Sequence, residues 1–252
     1  MPNWVSTEIY ITGSDESIKK LFKYVKGKRN GGDEDFDFNK IIPRPKSLGL
    51  PEGSLTRDFL RAYFTSLEES EMKEAISLYD KIVFSFFGNN VSELAAPLSE
   101  EERKRLQQSA EADRETYASA CGSTDPVKIG ETYFKNVVKY GATSWYGWSV
   151  KNWGTKWNAC DVCVSDYNDG SATIFFNTAW GYAYPILQKL AKKFKELVFD
   201  VWYADEDYGY NCGHVLYKDG VEDVIDSDED GEPRYDIAER VLGYSYEELV
   251  ND

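Results

Sequence analysis

A block of helix-period sequence, residues 55–141, interrupts a chain that otherwise reads as strands joined by two single helices, and that interruption limits the architectures open to it. Ahead of it, Trp4–Thr12 alternates: Val5, Ile9 and Ile11 share one face, with Thr7 as the polar exception, while Ser6, Glu8 and Thr12 take the other. Gly13 ends this strand. Ser14 or Asp15 then caps a helix carrying Ile18, Leu21, Phe22 and Val25, closed by Gly27. Lys28–Asp35, with Gly31-Gly32, predicts a loop, and the Pro-terminated Phe36–Pro45 is too stiff to be helix. Within the block, Phe59, Leu60, Tyr63, Phe64 and Leu67 recur at three and four. Ala75, Ile76, Tyr79, Ile82, Val83, Phe86 and Phe87 do the same up to Gly88. Ser99-Glu-Glu-Glu102 has the capping-box pattern for a charged helix up to about Cys121-Gly122, and Asp125-Pro126 opens another that ends at Gly141. Three or four helices are expected here.

Beyond the block the strand pattern returns. Asn158–Asp166 and Ser171–Asn177 flank Asn168-Asp-Gly170, a hairpin signal, and Pro185–Phe194 is amphipathic with Ile186, Leu187 and Leu190 inward. Leu197–Ala204 and Gly209–Lys218 follow, and Asp219-Gly220 turns the chain into Val221–Ile225. The order is βα, helical insertion, ββαββ. Without the insertion it is a ferredoxin-like α+β plan: an antiparallel sheet built as βαββαβ plus an edge hairpin. Residues 1–45 and 145–220 form that domain, 55–141 the insertion and 221–252 an acidic C-terminal segment.

Charge narrows the partners. The chain of 252 residues carries 44 acidic and 29 basic side chains, a net charge of −15. Residues 219–252 hold 13 of the acids and 2 of the bases, so the preceding body is close to neutral. This balance repels phosphate and makes nucleic acid and anionic membrane poor partners. His214 is the single histidine, which excludes histidine-rich chemistry. The start, Met-Pro-Asn-Trp, has no signal-peptide pattern, and the longest apolar-rich stretch, Ile82–Phe87, is far short of the roughly 20 residues that span a bilayer. Four cysteines are too few for a disulfide scaffold and predict reduced thiols in a cytoplasmic protein.

Four of the seven tryptophans, Trp145, Trp148, Trp153 and Trp157, fall in one short stretch with Lys151 and Lys156 between them. Such a cluster suits a core, an interface or a stacking site, where a lysine could hold a phosphate or carboxylate beside a ring. The competing reading is that the rings pack and the lysines point outward. Asp205, Glu206 and Asp207, after a strand, form the best-placed acidic group for metal or acid–base chemistry; without a nucleophile or phosphate loop beside them, a polar strand-to-turn cap is the simpler reading. Cys160, Cys163, Cys212 and His214 formally make a zinc set, but strand residues three apart point to opposite faces, so buried thiols are expected. Asp226, Asp228 and Asp230 with Gly231 copy half of a calcium loop, yet Ile237 stands where a bidentate glutamate belongs. No metal or cofactor is expected.

The segment Phe36–Pro45, the strings Trp145-Tyr-Gly-Trp148, Asn152-Trp-Gly-Thr-Lys-Trp157 and Asn177-Thr-Ala-Trp180, the opening Pro-Asn-Trp-Val, and Tyr203, Glu206 and Gly213 together resemble the YubB-type family of plasmid- and phage-borne proteins. After Trp180 the chain departs from that pattern: Gly-Tyr-Ala-Tyr-Pro185 stands where the family usually places proline sooner. The resemblance implies a ferredoxin-like fold and a mobile-element origin and carries over no catalytic residues. The expected function is a non-enzymatic interaction protein that binds a host or element-encoded protein partner, as an acidic counter-defence or accessory factor. A second expectation is a small-ligand or nucleotide-binding domain, an enzyme included, built on Trp145, Trp148, Trp153, Lys156, Trp157, Trp180 and Asp205–Asp207. A third, single-strand binding through Tyr10, Phe175 or Trp202, rests on fold analogy.

Overall fold

The computed structural model describes residues 2–29, 32–87, 91–165 and 169–251. In chain order these form β1 (Trp4–Thr12), α1 (Asp15–Val25), β2 (Gly27–Arg29), β3 (Gly32–Glu34), α2 (Phe38–Ile41), α3 (Thr56–Phe64) and α4 (Glu69–Phe87). Then come α5 (Glu100–Ala112), α6 (Arg114–Cys121), α7 (Pro126–Tyr140), α8 (Trp145–Trp153), β4 (Cys160–Val164), β5 (Ser171–Ala179) and α9 (Tyr184–Lys193). The chain ends with β6 (Val198–Asp205), β7 (Gly213–Lys218), β8 (Val221–Ser227), α10 (Tyr235–Leu242) and α11 (Tyr246–Asn251). They divide into two compact units: Met1–Pro43 with Ser149–Asp252, and Arg44–Trp148.

The first unit is an antiparallel six-stranded sheet in the order β4-β5-β1-β6-β7-β8. Its first four strands, with α1 and α9 as crossovers, make the ferredoxin-like arrangement of two split βαβ units, and β7 and β8 extend it as a meander. Alternation decides which face is covered. Val5, Thr7, Ile9 and Ile11 of β1 are buried, as are Phe199 and Val201 of β6. Ile18, Leu21 and Val25 of α1 and Ile186, Leu187 and Leu190 of α9 are buried as well, and Tyr24 meets Phe194 at 5.7 Å across the two crossovers.

α10 covers the opposite face. Ile237 and Ala238 close a cluster with Ala204, Tyr208 and Cys212, and the Arg240 guanidinium lies 4.1 Å from the Trp202 ring and 5.5 Å from Tyr10. The acidic segment is therefore part of the sheet domain: β8 pairs with β7, and α10 packs on β6.

The Arg44–Trp148 unit packs α3 against α7 around Phe59, Phe64, Ile129, Tyr133 and Val137. Gly130 makes this possible, because a Cβ there would overlap the Phe59 carbonyl. The unit holds α3 to α7 rather than three or four helices. The expected Ser99–Cys121 helix is split at Asp113, the shared cap of α5 and α6. The capping box forms: Ser99 N–H donates to Glu102 Oε2 at 2.7 Å and Glu102 N–H to Ser99 Oγ at 3.2 Å.

Two local expectations change. Lys28–Asp35 carries the short β2–β3 hairpin instead of a loop, with Gly27 opening β2 rather than closing α1. Phe36–Pro45 holds the single turn α2, which ends before Pro43 and is capped by Asp37. Gly31, the Gly88 stop and Asn168 of the expected Asn168-Asp-Gly170 turn lie outside the described residues.

Candidate functional site

Antiparallel pairing brings the start of β1 beside the ends of β5 and β6, and this end of the sheet collects several of the singled-out residues. Lys156 Nζ lies 4.5 Å from the Trp157 ring and 4.6 Å from the Trp180 ring. Trp4 packs on Trp157 at 5.8 Å. Trp180 is 45% exposed and has φ +70°, a left-handed conformation costly for a residue with a Cβ. Its backbone is held at both ends, N–H donating to Asn3 O at 2.9 Å and carbonyl accepting from Asn211 Nδ2 at 3.2 Å.

Asn211 ties this group to the carboxylates. Asp205 is buried and accepts from Asn211 Nδ2 at 2.7 Å, from Asp207 N–H at 2.9 Å and from Asn3 Nδ2 at 3.2 Å. That geometry is a strand-to-turn cap. Glu206 and Asp207 project into solvent, and Glu206 N–H donates to Trp4 O. The Lys156 ammonium lies over both indoles, so a ring stacking on those same faces competes with it.

The other tryptophans lie elsewhere. Trp153 is core: it is 1% exposed, donates from Nε1 to Ile42 O at 2.9 Å and meets Phe38 edge-on. Trp145 and Trp148 fall in the Arg44–Trp148 unit, Trp148 buried and Trp145 edge-on to Tyr146. In the sequence only the Pro-Asn-Trp opening points to Asn3 and Trp4, and no local pattern points to Asn211.

The remaining motifs are engaged internally. Asp226 and Asp230 each accept from Arg234 at 2.7 Å, which lowers the Asp230 carboxyl, while Asp228 accepts the Asn211 and Cys212 backbone N–H groups. The half calcium loop is thus an arginine clamp. Cys212 is buried against the Gly209 carbonyl, and burial pushes its thiol up to about 11. Cys163 is exposed. Among the described residues no cluster of histidine, cysteine, aspartate or glutamate is arranged to hold a metal. His214 Nε2 bonds Asp200 Oδ1 at 2.7 Å and its ring stacks on Trp202 at 3.7 Å, so Trp202, with Arg240 beside it, is already paired within the chain.

Among the described residues, the outer edge of β8 stays open. β8 ends the sheet, and Val221, Val224 and Ile225 are 67%, 48% and 50% exposed along it. Asp219 and Asp223 are exposed beside them.

Residues 152–244 match a family model described as the ferredoxin-like domain in Api92-like protein. That match spans β4 to α10 and so includes part of the acidic segment. The crystal structure of the protein Api92 from Yersinia pseudotuberculosis is similar across 90% of this chain and 99% of that one, at 11% identity and a TM-score of 0.43. No curated protein matches the chain. No helix among the described residues is long and apolar enough to cross a membrane.

Proposed function

We propose that the chain is an interaction module that binds a protein partner through its acidic C-terminal segment, as an accessory or counter-defence factor of a phage or plasmid. The observation that carries this reading is the position of that segment: its acids are presented on a paired strand and a packed helix, β8 and α10, rather than on a loose tail. A fixed array of carboxylates steers a basic partner and loses less conformational entropy on binding. The mobile-element origin is supported by the Trp-Gly-Thr-Lys-Trp and Asn-Thr-Ala-Trp strings that resemble YubB-type proteins. The small-ligand reading has less support, because the Lys156 ammonium already lies over both the Trp157 and Trp180 rings.

The test is retention of proteins from a bacterial lysate by the full chain at low and high salt. Its control is a variant with Asp219, Asp223, Glu229, Glu239, Glu247 and Glu248 changed to their amides. A protein held by the native chain at low salt and lost by the variant supports the reading. Equal retention by both, or none by either, contradicts it.

A further inference from the structure

The two edges of the sheet differ in how they are closed. β4 has five residues, a register shift between Cys160 and Cys163, and Asp161 at φ +51°, devices that discourage another strand from adding. β8 has seven residues and no proline. Its register shift lies beyond Val224, so Val221–Val224 pair regularly with Val215–Lys218. Asp219 and Gly220, at φ +56° and +76°, form the two-residue turn that precedes them. In such a hairpin Lys218 and Val221 exchange bonds, and the alternation aims the backbone N–H and C=O groups of Glu222 and Val224 away from β7. Among the described residues no strand pairs with that edge.

We propose that β8 accepts an added strand from a basic, extended segment of a partner protein. This rests on the interaction reading above and names how the partner is held. The unpaired backbone groups supply the hydrogen bonds, and the exposed Val221, Val224 and Ile225 supply apolar contact. Charge selects the occupant. Residues 219–230 contain seven acids and no base. Arg234 neutralises Asp226 and Asp230, backbone amides hold Asp228, and half-buried Glu222 turns towards Tyr217, which leaves Asp219, Asp223 and Glu229 exposed to a partner. A second copy pairing here would set the same acids against each other, whereas alternating lysine or arginine would meet them.

The test uses a labelled peptide of alternating lysine and valine, read by fluorescence anisotropy against the full chain, with a glutamate–valine peptide as control. The lysine peptide is expected to bind, more weakly as salt rises, and the glutamate peptide not to bind. Val224→Pro removes one outward donor at a position where an edge strand tolerates proline, and is expected to weaken binding about tenfold. Val224→Lys, which keeps the strand paired with β7, is expected to weaken it too, so the result does not depend on how well the proline variant folds. No binding, equal binding of both peptides, or equal affinity for the native chain and both variants overturns strand addition. Self-association that Val224→Pro abolishes would assign the edge to a second copy and also overturn it. A lysate protein lost by the amide variant but kept by Val224→Pro would refute strand addition while leaving the interaction reading intact.

Discussion

Truncating Ile237 to alanine tests whether α10 is seated on the sheet. Ile237 is 2% exposed, in the cluster formed by Ala204, Tyr208, Cys212 and Ala238. The substitution removes three carbons, a transfer loss of about 2.4 kcal/mol at ~0.8 kcal/mol per methylene. A residual cavity adds about 24 cal/mol per Å³, so partial collapse brings the cost to about 3–4 kcal/mol. Urea unfolding of the full chain reads this directly. Glu239→Ala, two residues further along α10 and exposed, is the control, expected within about 0.5 kcal/mol of the native chain. A loss below about 1 kcal/mol for Ile237→Ala would refute the packing.

Three further outcomes follow from particular contacts. Gly130→Ala, which in an open helix gains about 1 kcal/mol, is expected to destabilise by about 1–3 kcal/mol because its methyl meets the Phe59 carbonyl; a higher thermal midpoint would contradict that close approach. Trp180→Gly is expected to be about 1 kcal/mol more stable than Trp180→Ala, since both lose the ring but only glycine suits a φ of +70°; equal unfolding midpoints would exclude the left-handed backbone. The Arg61 guanidinium, then the Ser99 backbone N–H, hold the Glu102 carboxyl down at about 2 from its ordinary 4.5. A lowered carboxyl stabilises the fold above its unfolded value and loses that contribution as pH falls from 4.5 towards about 2. Glu102→Gln should flatten the pH dependence of the urea midpoint in that window, and an unchanged slope would contradict the pairing.

The sheet was legible because its residues alternate. Val5, Ile9 and Ile11 could be assigned to one face directly, and Asp219-Gly220 is a strong hairpin signal. Caps were legible for the same local reason, as Ser14 and the Ser99–Glu102 pair show. The β2–β3 hairpin was not, since three-residue strands built from glycine and charged residues carry no period. α10 was obscured by the charge around it, although Ile237, Ala238, Val241 and Leu242 already had helical spacing. The site at the sheet end depends on strand ends far apart in sequence. Local spacing joined Lys156 to Trp157, but only the β1–β5 and β1–β6 registers bring Asn3 to Trp180 and Asp205.

Amide hydrogen exchange along residues 219–251 of the full chain, alone and with the lysine–valine peptide, tests the central claim most directly. In the free chain, β8 amides facing β7 and the α10 amides should be protected, while Glu222 and Val224 exchange fast; the peptide should slow those two. Fast exchange throughout residues 221–251 would make the segment an unanchored acidic tail. Peptide-induced protection confined to α10 or α11 would place the partner elsewhere and contradict the account.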